Sequence, residues 1–350
     1  MSEPGSLVRT NESAAVDLLQ IMTSYWAAQT IYVAAKLGLA DLLKDGPKSS
    51  DELAQATATH APSLARLLRA LASEGVFTEE EDGRFGLTPL SMCLQSEEPG
   101  SVRAAAVMFG ETLYQAWGGL LQSVRTGEPA FGSVLGMPIY QYFAQHPEAA
   151  AVFNEAMIAM TTQVATAVVA AYAFSRFRQL VDVGGGYGTL VAAILHATPT
   201  LTGVVFDLHR VAEGARKYLE SIGLAGRCAI TGGDFFESVP NGGDAYILKS
   251  IIHAWDDERS IRILTNCHRA MAEKGTLLLV ERVLPARTSY SSATQAVTLN
   301  DLNMLVTSGG HERTEAAFRA LFKAAGFTLT RVITTQAPMG FSLIEGVRAS

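Results

Sequence analysis

The stretch Leu-Val-Asp-Val-Gly-Gly-Gly-Tyr-Gly occupies residues 180–188 and decides the fold. Its apolar start predicts a β-strand, and the apolar run at 189–195 predicts a helix. Glycines between a strand and a helix let a ligand approach the backbone and the helix N-terminus. A second predicted strand, 203–207, ends in Asp207, at the spacing where an acid meets a ribose hydroxyl in nucleoside-binding folds. The stretch therefore predicts a nucleoside site on a doubly wound sheet.

Two kinds of cofactor compete for a glycine-rich turn of this type. A dinucleotide-binding turn follows Gly-x-Gly-x-x-Gly, and counting from Gly184 the last glycine is replaced by Thr189. Asp182, just before the glycines, suits a ligand with an ammonium group rather than a pyrophosphate. S-adenosylmethionine carries an ammonium group and a ribose but no phosphate. The turn alone leaves both classes open.

Composition and charge limit the class of protein. The chain has 350 residues, 48% hydrophobic and 17% charged, which is enough for a large core and two domains. A net charge of −7 argues against nucleic acid or an anionic membrane as the main partner. The three cysteines form no Cys-x-x-Cys pair, which favours a reducing cytosol. Residues 1–11 are polar, so we expect no signal peptide and a cytoplasmic protein.

One apolar run resembles a membrane span. Residues 156–174 carry no charge, but they include several threonines and Gln163 and lie at the short end of spanning length. We therefore expect a buried helix and no membrane partner.

The first hundred residues predict a winged-helix pattern. A helix is expected over 14–37, with Gly38 as its stop and with Leu18, Met22 and Trp26 on one face. Ser50 is expected to cap a short helix. A longer helix over 62–74 carries Leu64, Leu67, Leu68 and Leu71, and a small hairpin follows at 76–87.

A winged helix can bind DNA, but the charge of this one argues against it. Residues 47–91 contain four basic and seven acidic side chains, whereas a DNA-binding wing needs Lys and Arg to neutralise phosphates. The apolar residues of the first helix and the leucines of the 62–74 helix exceed what so small a domain can bury. The segment therefore predicts a homodimer.

The second half alternates strands and helices. The predicted strands are 179–183, 203–207, 227–231, 244–248, 276–282, 327–335 and 341–347. This alternation predicts an α/β fold, with a mostly parallel sheet and helices on both faces. The linker 336–340 is too short for a helical crossover, so the last two strands should be antiparallel. We expect a dimerisation domain over 1–100 and a second domain over 101–350, with a helical linker before a sheet core at 178–350.

The third predicted strand leads into an acid and two aromatic residues. Asp234 and Phe235 suit adenine, because a carboxylate there meets its amine and a ring covers its face. An ordinary loop aspartate beside core phenylalanines fits the same sequence equally well.

Three titratable residues follow later strands. His253 comes just past the fourth strand, where doubly wound sheets place their ligands, and an imidazole of pKa about 6.5 accepts protons at cytosolic pH. Glu281 ends the fifth strand, and Glu312 lies on a loop before a helix. The chain shows no cluster of His, Cys and carboxylates at metal-ligand spacing, so we expect no metal.

Six motifs occur in order along the second half. They are residues 182–188, Val205-Phe206-Asp207-Leu208, Gly233-Asp234-Phe235-Phe236, Leu248-Lys249 with His253-Ala254-Trp255-Asp256, Glu281-Arg282-Val283-Leu284-Pro285, and Gly309-Gly310-His311-Glu312-Arg313-Thr314. Together they resemble the S-adenosylmethionine-dependent small-molecule O-methyltransferases: the plant caffeic acid, flavonoid and acetylserotonin enzymes and bacterial natural-product relatives. Ala35-Lys36-Leu37-Gly38 and the winged-helix pattern resemble that family's dimerisation domain. The resemblance spans nearly the whole chain and implies a Rossmann-like class I methyltransferase sheet.

The resemblance also implies roles for particular residues. His253 would deprotonate a hydroxyl of a small phenolic or polyketide substrate, and Glu281 and Glu312 would orient its ring. The cofactor S-adenosyl-L-methionine would be held by Asp182, Gly184, Gly186, Asp207, Leu208, Asp234, Phe235, Lys249 and Ser250. The aromatic acceptor would contact Phe153, Asn154, Met157, Trp255, Asp301 and Met304.

A second reaction remains open on this fold. Some bacterial relatives bind S-adenosylmethionine but decarboxylate or hydroxylate polyketides. The presence of His253, Glu281 and Glu312 favours methyl transfer. His209 and Ala254 depart from the plant pattern, which bears on substrate identity rather than on reaction class.

Overall fold

The computed structural model describes residues 11–349 and divides them into two compact units, one ending at Glu111 and one beginning at Thr112. The expectation that no signal peptide opens the chain concerns residues that lie almost entirely outside the described part. The expected domain boundary at residue 100 stays a prediction.

The first unit is mainly helical. Its helices are α1 (Asn11–Thr23), α2 (Tyr25–Leu37), α3 (Leu39–Leu42), α4 (Ser50–Thr57), α5 (Ala61–Ser73), α6 (Pro89–Met92) and α7 (Arg103–Met108). An antiparallel hairpin joins β1 (Phe77–Glu79) to β2 (Phe85–Leu87). The succession of α4, α5 and this hairpin is the predicted winged-helix pattern. A π-helical turn, Phe109–Leu113, follows α7.

The prediction of a single helix over 14–37 is wrong in the middle. The chain breaks between α1 and α2 at Ser24, whose hydroxyl donates to the Ile21 carbonyl, while Thr23 donates to the Leu19 carbonyl. Such bonds between side chains and nearby carbonyls compete with the helical hydrogen bonds. Hydrophobic periodicity alone does not reveal this competition. The stop at Gly38 is confirmed, with a φ of 67° in the left-handed region.

Two further expectations for the first unit need correction. Ser49, not Ser50, caps α4, because Ser49 stands three residues before Glu52 and the two form a reciprocal capping box. Leu64, Leu68 and Leu71 are buried within the unit itself and are not a surplus for association. Most of the large exposed apolar side chains of this unit lie on α1 and α2 instead.

The second unit contains the sheet. Its helices are α8 (Tyr114–Trp117), α9 (Leu120–Thr126), α10 (Ala130–Leu135), α11 (Ile139–Gln145), α12 (Pro147–Ala171), α13 (Thr189–Ala197), α14 (His209–Ser221), α15 (Asp257–Ala270), α16 (Ser292–Thr307) and α17 (Glu315–Ala324). Its strands are β3 (Gln179–Val183), β4 (Thr202–Asp207), β5 (Cys228–Gly232), β6 (Ala245–Lys249), β7 (Thr276–Leu284), β8 (Arg313–Thr314), β9 (Phe327–Thr334) and β10 (Phe341–Arg348).

The strand order is β5-β4-β3-β6-β7-β10-β9, with the two-residue β8 beside β7. Neighbours from β5 to β7 pair in parallel, and β10 pairs antiparallel with both β7 and β9, as the short linker predicted. The chain moves outward from β3 to β5 and then returns to place β6 on the other side of β3. The carboxyl ends of β3 and β6 therefore flank a topological switch point, where open α/β sheets bind ligands.

The long helix α12 buries one face rather than all of its surface. Val164 and Val168 are fully buried and pack into the core between the sheet and α13. By length and composition α12 is the one described helix that is apolar enough to cross a membrane, although only 28% of its most apolar window is buried. Its packing against the sheet fits the expectation of a core helix on that one face.

Candidate active site

The glycine-rich turn after β3 has the backbone geometry that its sequence requires. Gly184, Gly186 and Gly188 have φ values of 69°, 58° and 83°, which side chains other than hydrogen rarely tolerate. The Gly186 N–H donates to Asp207 Oδ2 at 2.9 Å, and the Leu208 N–H donates to Asp207 Oδ1 at 2.7 Å. A Cβ at Gly186 would meet nothing within 4 Å. The turn thus presents open backbone beside a fixed carboxylate.

A buried acid and a buried amine lie beneath this turn. Asp182 is buried at the end of β3, burial raises its pKa to about 7, and its Oδ2 has no hydrogen-bond partner. Burial lowers the pKa of Lys249 to about 8, and its Nζ donates to the Ser250 hydroxyl at 3.2 Å. An unpartnered carboxylate oxygen in this position fits a ligand that brings its own cation. S-adenosylmethionine has the ammonium group to match.

Aromatic rings line the neighbouring space after β5. Phe235 and Phe236 meet the Trp255 ring edge to face, with centroids 6.2 and 4.9 Å away, and Tyr140 stacks on the same indole at 5.4 Å. Asp234 accepts from the Phe236 N–H at 2.8 Å, so its side chain is fixed at this edge. Asp234, Phe236 and Trp255 also line a cavity of about 650 Å³.

His253 meets two carboxylates from different parts of the chain. Its Nδ1 is 3.0 Å from Glu312 Oε1 and 3.6 Å from Glu281 Oε2, and all three side chains are buried. The predicted convergence of a histidine after β6, an acid on β7 and an acid on the loop before β8 is therefore present in the fold. Because both carboxylates approach Nδ1, Nε2 is the nitrogen available to accept a proton.

Each of the two carboxylates is held by its own set of donors. Glu281 Oε1 accepts from the backbone N–H groups of Ile251 and Ile252 at 2.9 and 2.8 Å. Glu312 Oε1 accepts from the Asn300 amide, and its own N–H donates to Asp301 Oδ1 at 2.7 Å. Asp301, which was expected to contact the acceptor, thus fixes the Glu312 backbone.

The carboxylates decide the protonation of the histidine. Burial lowers the pKa of His253, but Glu281 and Glu312 outweigh burial, so the net pKa lies above 6.5. Burial raises the pKa of Glu281. Burial would also raise the pKa of Glu312, but the hydrogen bond and charge of His253, the charge of Arg282 and the Asn300 hydrogen bond together outweigh burial and hold that pKa below 4.5.

The same three side chains have the spacing of a small metal site. Their nearest ligand atoms lie within 4.8 Å of one another. However, Nδ1 is directed at a carboxylate, and the Arg282 guanidinium stands 3.6 Å from Glu312. A fixed cation beside the carboxylates disfavours a second cation, so the arrangement suits an imidazole base.

The residues expected to contact the acceptor are more widely spread than the His253, Glu281 and Glu312 cluster. Phe153 packs on Phe143 with centroids 4.5 Å apart, and the Asn154 amide is 3.5 Å from the Tyr187 hydroxyl. Met157 and Met304 are half-buried on α12 and α16. The Asn154 contact places that side chain beside Tyr187 of the glycine-rich turn.

Several residues of the site escaped the sequence analysis. Arg313 is buried and donates to the Ile252 and Trp255 carbonyls, which holds the His253 turn in place. A Cβ at Gly310 would lie 2.0 Å from the His253 carbonyl, so only glycine allows the two loops to cross. Asn300, Arg282 and Tyr140 were also missed. Gly310 and Arg313 stand inside a recognised motif, which was the signal available for them.

Comparison with known proteins identifies both halves of the chain. Residues 117–328 match the O-methyltransferase domain and residues 19–97 match the O-methyltransferase dimerisation domain. Phenazine O-methyltransferase PhzM from Lysobacter antibioticus is 49% identical, covering 97% of this chain and 99% of that protein. O-demethylpuromycin-O-methyltransferase from Streptomyces alboniger is 40% identical, covering 94% and 88%.

Solved structures agree with these matches. The crystal structure of LaPhzM has a TM-score of 0.92 at 49% identity, covering 96% of this chain and 99% of that one. NcsB1 from neocarzinostatin biosynthesis, solved with S-adenosylmethionine and 2-hydroxy-5-methyl naphthoic acid, has a TM-score of 0.78 at 31% identity, covering 92% and 96%. The chain therefore belongs to the S-adenosylmethionine-dependent O-methyltransferase family, and its N-terminal unit carries that family's dimerisation domain.

Proposed function

We propose that this enzyme methylates a hydroxyl of a small aromatic substrate, with His253 as the general base. The observation that carries the proposal is the placement of Glu281 and Glu312 on Nδ1 of a buried imidazole at the carboxyl edge of the sheet. This arrangement directs Nε2 toward an incoming hydroxyl. The relatives named above act on a phenazine and on O-demethylpuromycin, which supports a ring-bearing acceptor.

The reaction is mainly a task of alignment. S-adenosylmethionine, when bound, supplies an electrophilic methyl carbon. The acceptor hydroxyl gives its proton to His253 Nε2 while its oxygen forms the new bond to that carbon, and the bond from carbon to sulfur breaks. Glu312 and Glu281 stabilise the imidazolium that develops, as a carboxylate does behind other catalytic histidines.

The cofactor is proposed to lie along the carboxyl ends of β3, β4 and β5. Asp182 would pair with its ammonium group and Asp207 with its ribose. Phe235 and Asp234 would lie near the adenine. The backbone of Gly184 and Gly186 would approach the cofactor at the glycine-rich turn. Leu208, Lys249 and Ser250 would complete the wall of this site.

Replacement of the base tests the mechanism. His253→Ala should lower kcat about 10²–10⁴-fold and leave cofactor affinity nearly unchanged, because the imidazole moves a proton and does not hold the cofactor. The exposed His196→Ala on α13 is the matched control and should keep wild-type turnover. Turnover of a phenol by H253A near the wild-type rate would instead mean that alignment alone suffices.

The acceptor is proposed to be planar and largely apolar. Phe153, Met157, Trp255 and Met304 offer aromatic or adaptable walls suited to flat ligands. Mass spectrometry after incubation with S-adenosylmethionine and a panel of hydroxylated phenazines, naphthoates and simple phenols should find products heavier by one methyl group. Decarboxylated or hydroxylated products without methyl transfer would favour the alternative reaction.

We also propose that the enzyme is a homodimer. In the first unit Leu18, Met22 and Trp26 are 57%, 60% and 58% exposed, an apolar surface that an isolated chain would leave in water. Light scattering at micromolar concentration should give twice the chain mass of 37.3 kDa. Met22→Glu should shift this mass toward the monomer, and an unchanged mass would remove α1 and α2 from the interface.

A further inference from the structure

A buried arginine stands beside the His253 site. Arg282 follows Glu281 on β7 and is only 3% exposed. Its Nη1 lies 3.6 Å from Glu312 Oε1, the oxygen that also faces His253 Nδ1 and accepts from Asn300. Three donors therefore converge on one carboxylate oxygen, and one of them carries a permanent charge.

The other contacts of Arg282 fix its position without neutralising it. Its Nε donates to the Met339 carbonyl at 3.0 Å, and its guanidinium lies over the Phe341 ring, 4.2 Å from the centroid. Met339 holds an unusual left-handed backbone, with a φ of 61°, in the turn that offers this carbonyl. A carbonyl and an aromatic ring carry no net charge. The positive charge is therefore directed at the carboxylates.

The charges around the imidazole can be assigned to each packed element. Glu281 and Arg282 come from β7 and Glu312 from the loop before β8, while α16 contributes the neutral Asn300 and the acid Asp301. Lys249 on β6 interacts with Glu281. Asp257 at the start of α15 pairs with Arg313 at 2.8 Å and lies 3.6 Å from His311. Without Arg282, two carboxylates would act on His253 with no guanidinium opposing them.

We propose that Arg282 is a positioning residue whose positive charge opposes the attraction of Glu281 and Glu312 for the His253 proton, so that the imidazole is neutral when the acceptor arrives. The proposal rests on the assignment of His253 as the base. It acts through charge, since a like charge near a titratable cation disfavours its protonated form.

The pH dependence of kcat/KM tests this role. Arg282→Gln keeps a donor for the Met339 carbonyl but removes the charge, so the midpoint of the acid limb should rise by about one pH unit. Arg282→Lys keeps the charge and should keep the wild-type midpoint even where stability falls. In both variants the alkaline plateau should remain within about threefold of the wild-type enzyme, because Nε2 itself is intact.

A double variant separates charge from packing. Glu312→Gln alone should lower the midpoint, and the pair R282Q/E312Q should return it toward the wild-type value. Arg227→Gln is the matched control, since Arg227 is half-buried and donates to the Leu195, Thr198 and Leu201 carbonyls at the amino ends of β4 and β5, the opposite edge of the sheet from His253. It should lower the melting temperature and leave the midpoint in place.

A titration of the His253 imidazole by NMR, in the protein without acceptor, gives a readout that does not need turnover. A raised midpoint in R282Q by NMR but not in kcat/KM would leave the Arg282 proposal standing and overturn His253 as the base. A midpoint unmoved in both measurements, or an equal shift in R227Q, would overturn the role of Arg282.

Discussion

At the level of single residues, buried side-chain oxygens without a hydrogen-bond partner cluster at the candidate site. In the described part of the chain four buried side-chain oxygens lack a hydrogen-bond partner, and three of them belong to Asp182, Glu281 and Glu312. Leaving a buried acceptor unsatisfied costs about 1–3 kcal/mol and more when the group is charged. The unsatisfied acceptors that cost this free energy are concentrated around the proposed cofactor and base. Such a concentration is typical of functional sites.

The histidine should give the enzyme an alkaline preference. The two carboxylates raise the pKa of His253 above 6.5 despite burial, and the neutral form is the active one. We expect kcat/KM to rise with pH to a plateau, with a midpoint above 6.5. Glu312→Gln should lower that midpoint, and the exposed Glu315→Gln on α17 should not. A flat profile between about pH 6 and 9 would contradict a histidine base.

We expect the Asp182 carboxylate to lower the stability of the ligand-free enzyme and to raise its affinity for the cofactor. Its pKa of about 7 in the folded state exceeds the ordinary 3.8, so the folded state binds this proton more tightly and the free energy of unfolding falls as pH rises between these values. At pH 8 Asp182→Asn should therefore raise the melting temperature of the ligand-free enzyme by about 2 °C or more. Its affinity for S-adenosylhomocysteine should fall about tenfold or more, or about 1.4 kcal/mol.

Asp45→Asn, at an exposed position, is the control and should change neither quantity. A variant D182N that is less stable at pH 8 would show that the Asp182 carboxylate is well solvated or paired in solution.

At the level of helices and strands, some features could be predicted from the sequence and others could not. The helix stop at Gly38 was predicted from the sequence because glycine acts locally. Arg282 stood inside a recognised motif, but its role was not predicted. Successive strand residues point to opposite faces, and Glu281 was already assigned to the side that faces the site. The short β8 was missed as well, since two residues carry no alternation.

The capping box of α4 gives a test of helix register. Ser49→Ala should destabilise the first unit by about 1 kcal/mol, because it removes the acceptor for the Glu52 N–H. Ser50→Ala, one residue further and inside the helix, should stay within about 0.5 kcal/mol of the wild type. Urea unfolding followed by circular dichroism measures both, and an equal cost for the two would contradict the observed cap.

The architecture of the whole chain was largely predictable, and the site was predictable in part. Alternating apolar runs and helices predict a parallel sheet, and its carboxyl edge brings His253 and Glu281 together. Glu312 joins them from a loop, and only the resemblance to a known family predicted that. The crossing of Gly310 over the His253 loop and the anchoring of Arg313 depend on contacts between residues more than fifty positions apart. Periodicity carries no information about such contacts.

The strand order has a consequence for synthesis on the ribosome. β10 lies between β7 and β9, so β9 has no partner in the sheet until residues 341–348 have emerged. A nascent chain shorter than this exposes the edge of β7, whose apolar residues Leu277 to Val280 are fully buried in the finished sheet. A stop codon after residue 340 should therefore yield aggregated protein in a cell-free translation reaction, whereas the full chain stays in the supernatant.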